Sequence, residues 1–185
     1  MPAARLILAS ASPQRRAILQ QIEVPFEVRV PSVDELSDGP AAEVALENAY
    51  RKAAAIAPAE LPVLGVDTVV SLGAQIFGKP RDAGHAEEML LALVGRSHVV
   101  VSGVCLIDSE RVRTAAAQTT VEFRPLDPEA VAAYVRTGEW EGRAGAYAIQ
   151  GRGATIVARI EGDYLNVVGL PVSTLVDIAP GLILD

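Results

Sequence analysis

Two hydrophobic periods alternate along the chain, one typical of strands and the other of helices. Short apolar or alternating runs predict strands at 6–9, 26–30, 61–72 and 97–107, an antiparallel partner of the last ending at 119–123, and one strand within 146–175. Helical patterns begin after Ser12, at 41–57, at 83–95, after Asp127 and near Pro171. Helices interleaved with strands around a central hairpin predict a mixed α/β sheet covered by helices on both faces.

Composition favours a folded chain with a substantial core. Half of the 185 residues are hydrophobic and 21% are charged, and no repeat, low-complexity tract or interdomain linker interrupts the pattern. The length suits one domain over residues 1–185.

Charge and cysteine content narrow the function classes. The net charge of -7 argues against general binding of nucleic acid or of an anionic membrane, so any cationic site must be local. Cys105 is the only cysteine, which excludes an internal disulfide and a cysteine-rich zinc site. No apolar run has the length of a signal-peptide core or of a membrane span. We expect a cytoplasmic protein.

Two arginines stand at the start of the first helix. Ser12 and Pro13 predict the helix start, which places Arg15 and Arg16 in its first turn. The helix dipole disfavours cations there by roughly 0.3–1 kcal/mol each. A bound phosphate would offset that cost. The alternative is that both side chains lie in solvent near Glu23 or Glu27.

Asp67 interrupts an apolar strand. The period of two places it on the same face as Val63, Gly65 and Val69, and Gly65 is expected to leave open space beside it. A buried carboxylate normally acquires a cation, a metal or a proton. A hydrogen bond to nearby loop backbone is the alternative.

Two lysines accompany this carboxylate. Lys52 lies close to a stripe of small residues on the helix 41–57, formed by Ala45, Ala49, Ala53 and Ile56. Lys79 stands between Gly78 and Pro80 at the end of the hairpin. Each lysine could simply reach solvent. Together with Arg15 and Asp67 they suggest a site for a metal and a phosphate.

Gln150 lies in a glycine-rich loop. Its amide offers a donor and an acceptor to a base edge, and the glycines could let the backbone approach a ligand. The alternative is an ordinary glycine loop in which Gln150 caps a turn.

Six stretches of the chain resemble the Maf family of nucleotide pyrophosphatases, in family order. They are "LASASPQRRAIL", "NAYRKA", "VLGVDTVV", "GKPRDAGHAEEMLLALVGRSHVVVSGV", "GEWEGRAGAYAIQGRGA" and "GDYLNVVGLP". The resemblance implies a strongly twisted mixed sheet flanked by helices with a deep central cleft, a homodimer, and a divalent cation, magnesium or manganese. It also implies cleavage of nucleoside triphosphates to monophosphate and pyrophosphate. "AGAYAIQG" resembles the subgroup acting on dTTP and UTP, whereas the subgroup acting on 7-methyl-GTP tends to carry an acidic residue at Gln150.

The resemblance also assigns roles to individual positions. Asp67 matches the catalytic carboxylate, either as metal ligand or as general base, and Glu35 or Asp34 would complete the metal shell. The positions on the phosphate side are Ser10, Arg15, Lys52 and Lys79. Those governing substrate choice are Gln14, Thr68 and Gln150. Gln14 replaces a usual arginine, so a charge is missing there, while Arg143 keeps the charge of a common lysine.

Two other functions stay open at this point. The related inosine triphosphate pyrophosphatases share the fold and the chemistry but prefer a purine. A regulator of septum formation would bind a nucleotide without releasing pyrophosphate.

Overall fold

A computed structural model describes residues 3–109 and 111–184, and within them seven strands form one mixed sheet. The strands are β1 (Leu6–Ala9), β2 (Phe26–Val28), β3 (Val63–Leu72), β4 (Gln75–Phe77), β5 (Ser97–Ile107), β6 (Val112–Phe123) and β7 (Val157–Glu161). Their order is β2-β1-β3-β5-β6-β7, with β4 paired to β3. β1 runs parallel to β2 and β3, and the other pairs are antiparallel. The predicted mixed α/β class is confirmed.

The helices are α1 (Pro13–Gln21), α2 (Ala41–Ala54), α3 (Ala83–Leu93), α4 (Pro128–Val135), α5 (Tyr164–Val168), α6 (Val172–Ile178) and α7 (Pro180–Ile183). Side chains of Ser12, Asp82 and Asp127 cap α1, α3 and α4, directly before the helix starts that the sequence predicts. The pattern did not predict the short helices α5 and α7, and it extended α2 three residues too far.

Helices cover both faces of the sheet, and the alternation along β3 decides what each face meets. Leu64 and Val66 pack with α1 and α6, in a cluster that includes Leu19 and Leu175. Val63 packs on the opposite face, against α2. Asp67 shares the face of Val63 and therefore points towards α2.

Two glycines let α2 lie directly on the sheet. A Cβ on Gly65 would stand 2.1 Å from the backbone oxygen of Ala49, and a Cβ on Gly103 would stand 2.2 Å from that of Ala45. The expectation of open space beside Gly65 is therefore wrong, because the helix backbone fills it. In the predicted stripe, Ala45, Ala49 and Ala53 are fully buried at this contact, whereas Ile56 lies beyond the end of α2 and is partly buried. This close packing brings the polar side chains of α2 to Asp67.

Among the described residues, no helix is long and apolar enough to cross a membrane. Cys105 is a buried free thiol in the core between β5 and α2, and burial raises its pKa to about 11.

Candidate active site

Nine of the residues that the sequence analysis singled out for chemistry line one cleft of about 700 Å³, whereas Asp34, the alternative to Glu35 for the metal shell, does not line it. They come from separate segments of the chain. The nine are Ser10, Gln14, Arg15, Glu35, Lys52, Asp67, Thr68, Lys79 and Gln150.

Asp67 lies in the wall of this cleft, on β3. It is 6% exposed, and each of its carboxylate oxygens accepts one hydrogen bond. Oδ1 accepts from Lys52 Nζ at 2.5 Å, and Oδ2 accepts from Asn48 Nδ2 at 3.1 Å. Both donors are side chains of α2, so the alternative of a bond to loop backbone is wrong.

Lys52 bridges two carboxylates. Its ammonium group also lies 2.9 Å from Glu35 Oε1, and the residue is 7% exposed. The alternative that Lys52 simply reaches solvent is therefore wrong. Glu35 belongs to the polar loop between β2 and α2, so the lysine ties this loop to β3.

Asn48 is a site residue that the sequence analysis missed. Besides its bond to Asp67, it donates to the backbone oxygen of Leu36 at 2.9 Å and accepts from Leu36 N at 2.7 Å. The available signal was its position four residues before Lys52, which places both on one face of α2. Asn48 holds the loop of Glu35 against the carboxylate.

Arg15 is buried and bound to three groups of the protein. Nε donates to the backbone oxygen of Gly169 at 2.9 Å, Nη1 to Ser10 Oγ at 3.0 Å and Nη2 to Thr68 Oγ1 at 3.1 Å. Burial lowers the pKa of Arg15, although the charges of Asp67 and Glu35 act in the opposite direction. The solvent alternative is wrong for Arg15, whereas Arg16 is exposed.

The hydroxyl groups of Thr68 and Ser10 each accept a hydrogen bond from Arg15. Thr68 Oγ1 also shares a hydrogen bond of 2.9 Å with Ser102 Oγ, and Ser102 is fully buried. Ser10 accepts a second bond from the backbone N–H of Ser12. Both hydroxyls therefore help to fix the guanidinium of Arg15 in the cleft.

The other predicted residues present less constrained side chains. Lys79 and Gln150 are exposed at the cleft, and Gln14 is half-buried and accepts from Ser12 Oγ at 3.1 Å. Gln150 makes no capping hydrogen bond to the turn that follows it, so the capping alternative is wrong.

The glycines that follow Gln150 serve the packing of their own loop. A Cβ on Gly151 would meet the Glu139 carboxylate at 2.6 Å, and one on Gly153 would meet the backbone oxygen of Ala148 at 1.6 Å. Close approach of a ligand is not needed to explain them.

Carboxylates for a metal are few. No group of three or more His, Cys, Asp or Glu suited to a metal occurs in the described part of the chain. Asp67 and Glu35 do share the ammonium of Lys52 in the cleft. Magnesium is commonly held by one or two carboxylates together with substrate phosphates and water, so this pair fits such an ion.

Comparisons with known proteins point to one family and cover nearly the whole length of this chain. A family model for Maf-like proteins matches residues 5–180. A dTTP/UTP pyrophosphatase of Symbiobacterium thermophilum is 48% identical over 173 residues, covering 90% of this chain and 88% of the relative. Proteins of the same name from Gloeobacter violaceus and Yersinia pestis are 46% and 44% identical, covering 94% and 90% of this chain and 94% and 87% of the relatives.

Proposed function

This chain belongs to the family of Maf-like proteins, and we propose that it is an enzyme that hydrolyses dTTP and UTP to the nucleoside monophosphate and pyrophosphate. The observation that carries the proposal is the buried Asp67, held by Lys52 and Asn48 in a cleft lined with cations. Relatives 44–48% identical to the chain bear the name of this activity.

In the proposed reaction, water attacks the α-phosphorus and the bond to the bridging oxygen of the pyrophosphate breaks. Asp67 lies at the cleft surface and either accepts the proton of this water or helps to bind a cation. Lys52, Lys79 and Arg15 offset the charge that develops on the phosphorus and on the departing pyrophosphate. Arg15 is held in place for this role by Ser10 and Thr68.

Asp67 and Glu35 would hold a magnesium or manganese ion together with phosphate oxygens. Such an ion, when bound, neutralises phosphate charge and polarises the bond to be broken. Lys52 already lies between the two carboxylates, so it holds the loop of Glu35 close to Asp67 before any ligand binds.

Recognition of the pyrimidine falls to Gln150 and Gln14. The amide of Gln150 lies at the cleft without a hydrogen bond to a described residue, so both of its halves can pair with a base edge. The hydroxyl of Thr68 is shared between Arg15 and Ser102, so Thr68 affects substrate choice through Arg15.

The deciding experiment is pyrophosphate release from a panel of dTTP, UTP, CTP, ITP and 7-methyl-GTP, with magnesium or manganese. We expect dTTP and UTP to be preferred and chelation to abolish release. Preference for ITP or 7-methyl-GTP would place the chain in a purine branch. Binding without release would support the non-catalytic regulator.

Asp67→Asn should remove most turnover and leave the fold intact. The amide is nearly isosteric but neither carries the charge that binds a cation nor accepts the proton of water. The matched control is Asp177→Asn, since Asp177 is exposed on α6 and does not line the cleft. Near-normal release by Asp67→Asn would contradict the assignment.

We further propose a cytoplasmic homodimer. The net charge of -7 and a single buried thiol suit that compartment. Light scattering coupled to size exclusion tests the dimer, and a monomer mass would refute it.

A further inference from the structure

The cations that line the cleft differ in what they already bind. Arg15 donates three hydrogen bonds to other groups of the protein, and Lys52 forms ion pairs with two carboxylates. Lys79 and Arg143 also line the cleft, and neither side chain makes a hydrogen bond or ion pair with a described residue. Of the four cations at the cleft, these two therefore keep all of their side-chain donors for an anionic ligand.

Backbone hydrogen bonds hold the loop of Arg143 next to the loop of Lys79. Its N–H donates to the backbone oxygen of Trp140 at 3.1 Å, and its own oxygen accepts from Ala146 N at 3.2 Å. In the same loop, the backbone N–H of Gly145 donates to the backbone oxygen of Gly78, the residue before Lys79, at 3.1 Å. The loops of Lys79 and Arg143 are therefore joined by one hydrogen bond that lies within two residues of each cation.

The guanidinium of Arg143 makes no direct ion pair with a described carboxylate. The residue is half-buried, and burial lowers its pKa although Tyr134 and Glu139 act in the opposite direction. Glu139 acts only through space, because its carboxylate accepts from the backbone N–H groups of Arg152 and Gly153. An arginine stays charged in such a place, so a phosphate that paired with it would recover the cost of desolvation.

Arg143 also contributes to the positive charge of the cleft. The charged residues that line it are four cations and two carboxylates, which gives +2 in a protein of net charge -7. Without Arg143 the balance would be +1. A triphosphate remains anionic when it binds one divalent cation, so the positive cleft attracts it.

The loop of Arg143 packs against the face of β3 opposite to Asp67. A Cβ on Gly145 would stand 3.0 Å from the side chain of Val70, which the alternation along β3 places on the face that does not carry Asp67. Arg143 and Asp67 therefore approach the cleft from different sides of the strand and would contact different parts of a bound substrate. The planar fork of donors on Arg143 suits two phosphate oxygens better than the single carbonyl of a pyrimidine edge.

We propose that Arg143 joins Lys79 in binding the β- and γ-phosphates of the substrate and stays bound to them in the departing pyrophosphate. This inference rests on the proposed function, because it names the part of that substrate which Arg143 contacts.

The test is calorimetric binding of inorganic pyrophosphate and of UMP, each with magnesium, to the wild type and to Arg143→Met. We expect the variant to lose roughly 10- to 100-fold in affinity for pyrophosphate, the effect of a charge-assisted hydrogen bond, and to bind UMP within about twofold of the wild type. Arg143→Lys should fall between them, since it keeps the charge without the fork.

The matched control is Arg159→Met, which removes one positive charge from an exposed position on β7 outside the cleft. It should bind pyrophosphate as the wild type does. Unchanged pyrophosphate affinity in both Arg143 variants, or an equal loss for UMP, would overturn the proposal. The measurement needs no turnover, so a chain that released no pyrophosphate from any nucleotide would refute the proposed function while this comparison still decided the role of Arg143.

Discussion

Asn48 donates a hydrogen bond from Nδ2 to Oδ2 of Asp67 at 3.1 Å, and the same amide pairs with both backbone groups of Leu36. Asn48 is 1% exposed and its bond to Asp67 is buried, whereas Leu36 lies at the surface. One side chain thus links the candidate catalytic carboxylate to the loop that carries Glu35. The position of this loop depends on α2 as much as on its own sequence.

Asn48→Ala should lower both stability and turnover. It removes both hydrogen bonds to Leu36, and because Leu36 is 38% exposed, water can partly replace them, so each lost bond costs about 0.5–1.5 kcal/mol. The loop of Glu35 would shift relative to Asp67, and a misplacement of this kind should cost roughly 10- to 100-fold in turnover. Denaturant unfolding and pyrophosphate release measure the two effects.

The matched control for Asn48→Ala is a substitution one residue earlier on the same helix. Glu47 is half-exposed and pairs with Arg51 at the surface, so Glu47→Ala should change stability by no more than about 1 kcal/mol. Wild-type turnover in Asn48→Ala would show that the loop is held without this amide.

Gly65→Ala should destabilise the protein and disturb the site together. The new Cβ would meet the backbone of α2, and overpacking of this kind costs typically about 1–3 kcal/mol. Moving α2 also moves Lys52 and Asn48 away from Asp67. Gly84→Ala in α3 is the matched control, because its Cβ makes only an ordinary contact at 3.5 Å with Asp82. Alanine should stabilise that helix by roughly 0.5–1 kcal/mol, so denaturation midpoints should move in opposite directions.

Stability should fall between about pH 6.5 and pH 4 in a way that depends on His98. This residue is 1% exposed, its Nε2 pairs with the Tyr147 hydroxyl at 2.9 Å, and burial lowers its pKa to about 4 from 6.5. The folded state holds the neutral form, so the contribution is complete above pH 6.5 and is lost as the pH falls towards 4. Its full size is on the order of 3 kcal/mol.

The measurement for His98 is the free energy of unfolding at pH 7 and pH 5 for the wild type and His98→Gln. Carboxylates titrate in both proteins, so the difference between their slopes isolates the histidine. Equal slopes would mean that His98 is not held in its neutral form.

Local chemistry explains which parts of this molecule could be predicted from its sequence. The caps at Ser12, Asp82 and Asp127 are local hydrogen bonds, and the alternation along β3 places Asp67 and Thr68 on opposite faces. The short helices α5 and α7 carry too few turns for a period to be recognised.

Contacts between distant segments explain what the sequence could not show. Arg15 binds the backbone oxygen of a residue 154 positions away, which no periodicity predicts. The sequence predicted free space at Gly65, whereas in the structure the backbone of α2 lies directly against it and leaves no room for a Cβ. The resemblance to the family pointed to Lys52 and Asp67, but only the structure shows that Asn48 also binds Asp67.

Gln150→Glu should shift the enzyme away from pyrimidine nucleotides. Uracil and thymine present a ring N–H between two carbonyl oxygens, which the amide of Gln150 can match with its oxygen and its nitrogen. Glutamate keeps only the acceptor, so it leaves one base carbonyl unpaired beside a carboxylate. Such a mismatch costs roughly 1–3 kcal/mol, or about 5- to 150-fold in kcat/KM for UTP and dTTP. Guanine offers two adjacent donors that a carboxylate accepts, so the relative activity on 7-methyl-GTP should rise. An unchanged ratio of kcat/KM between UTP and 7-methyl-GTP would show that Gln150 does not contact the base.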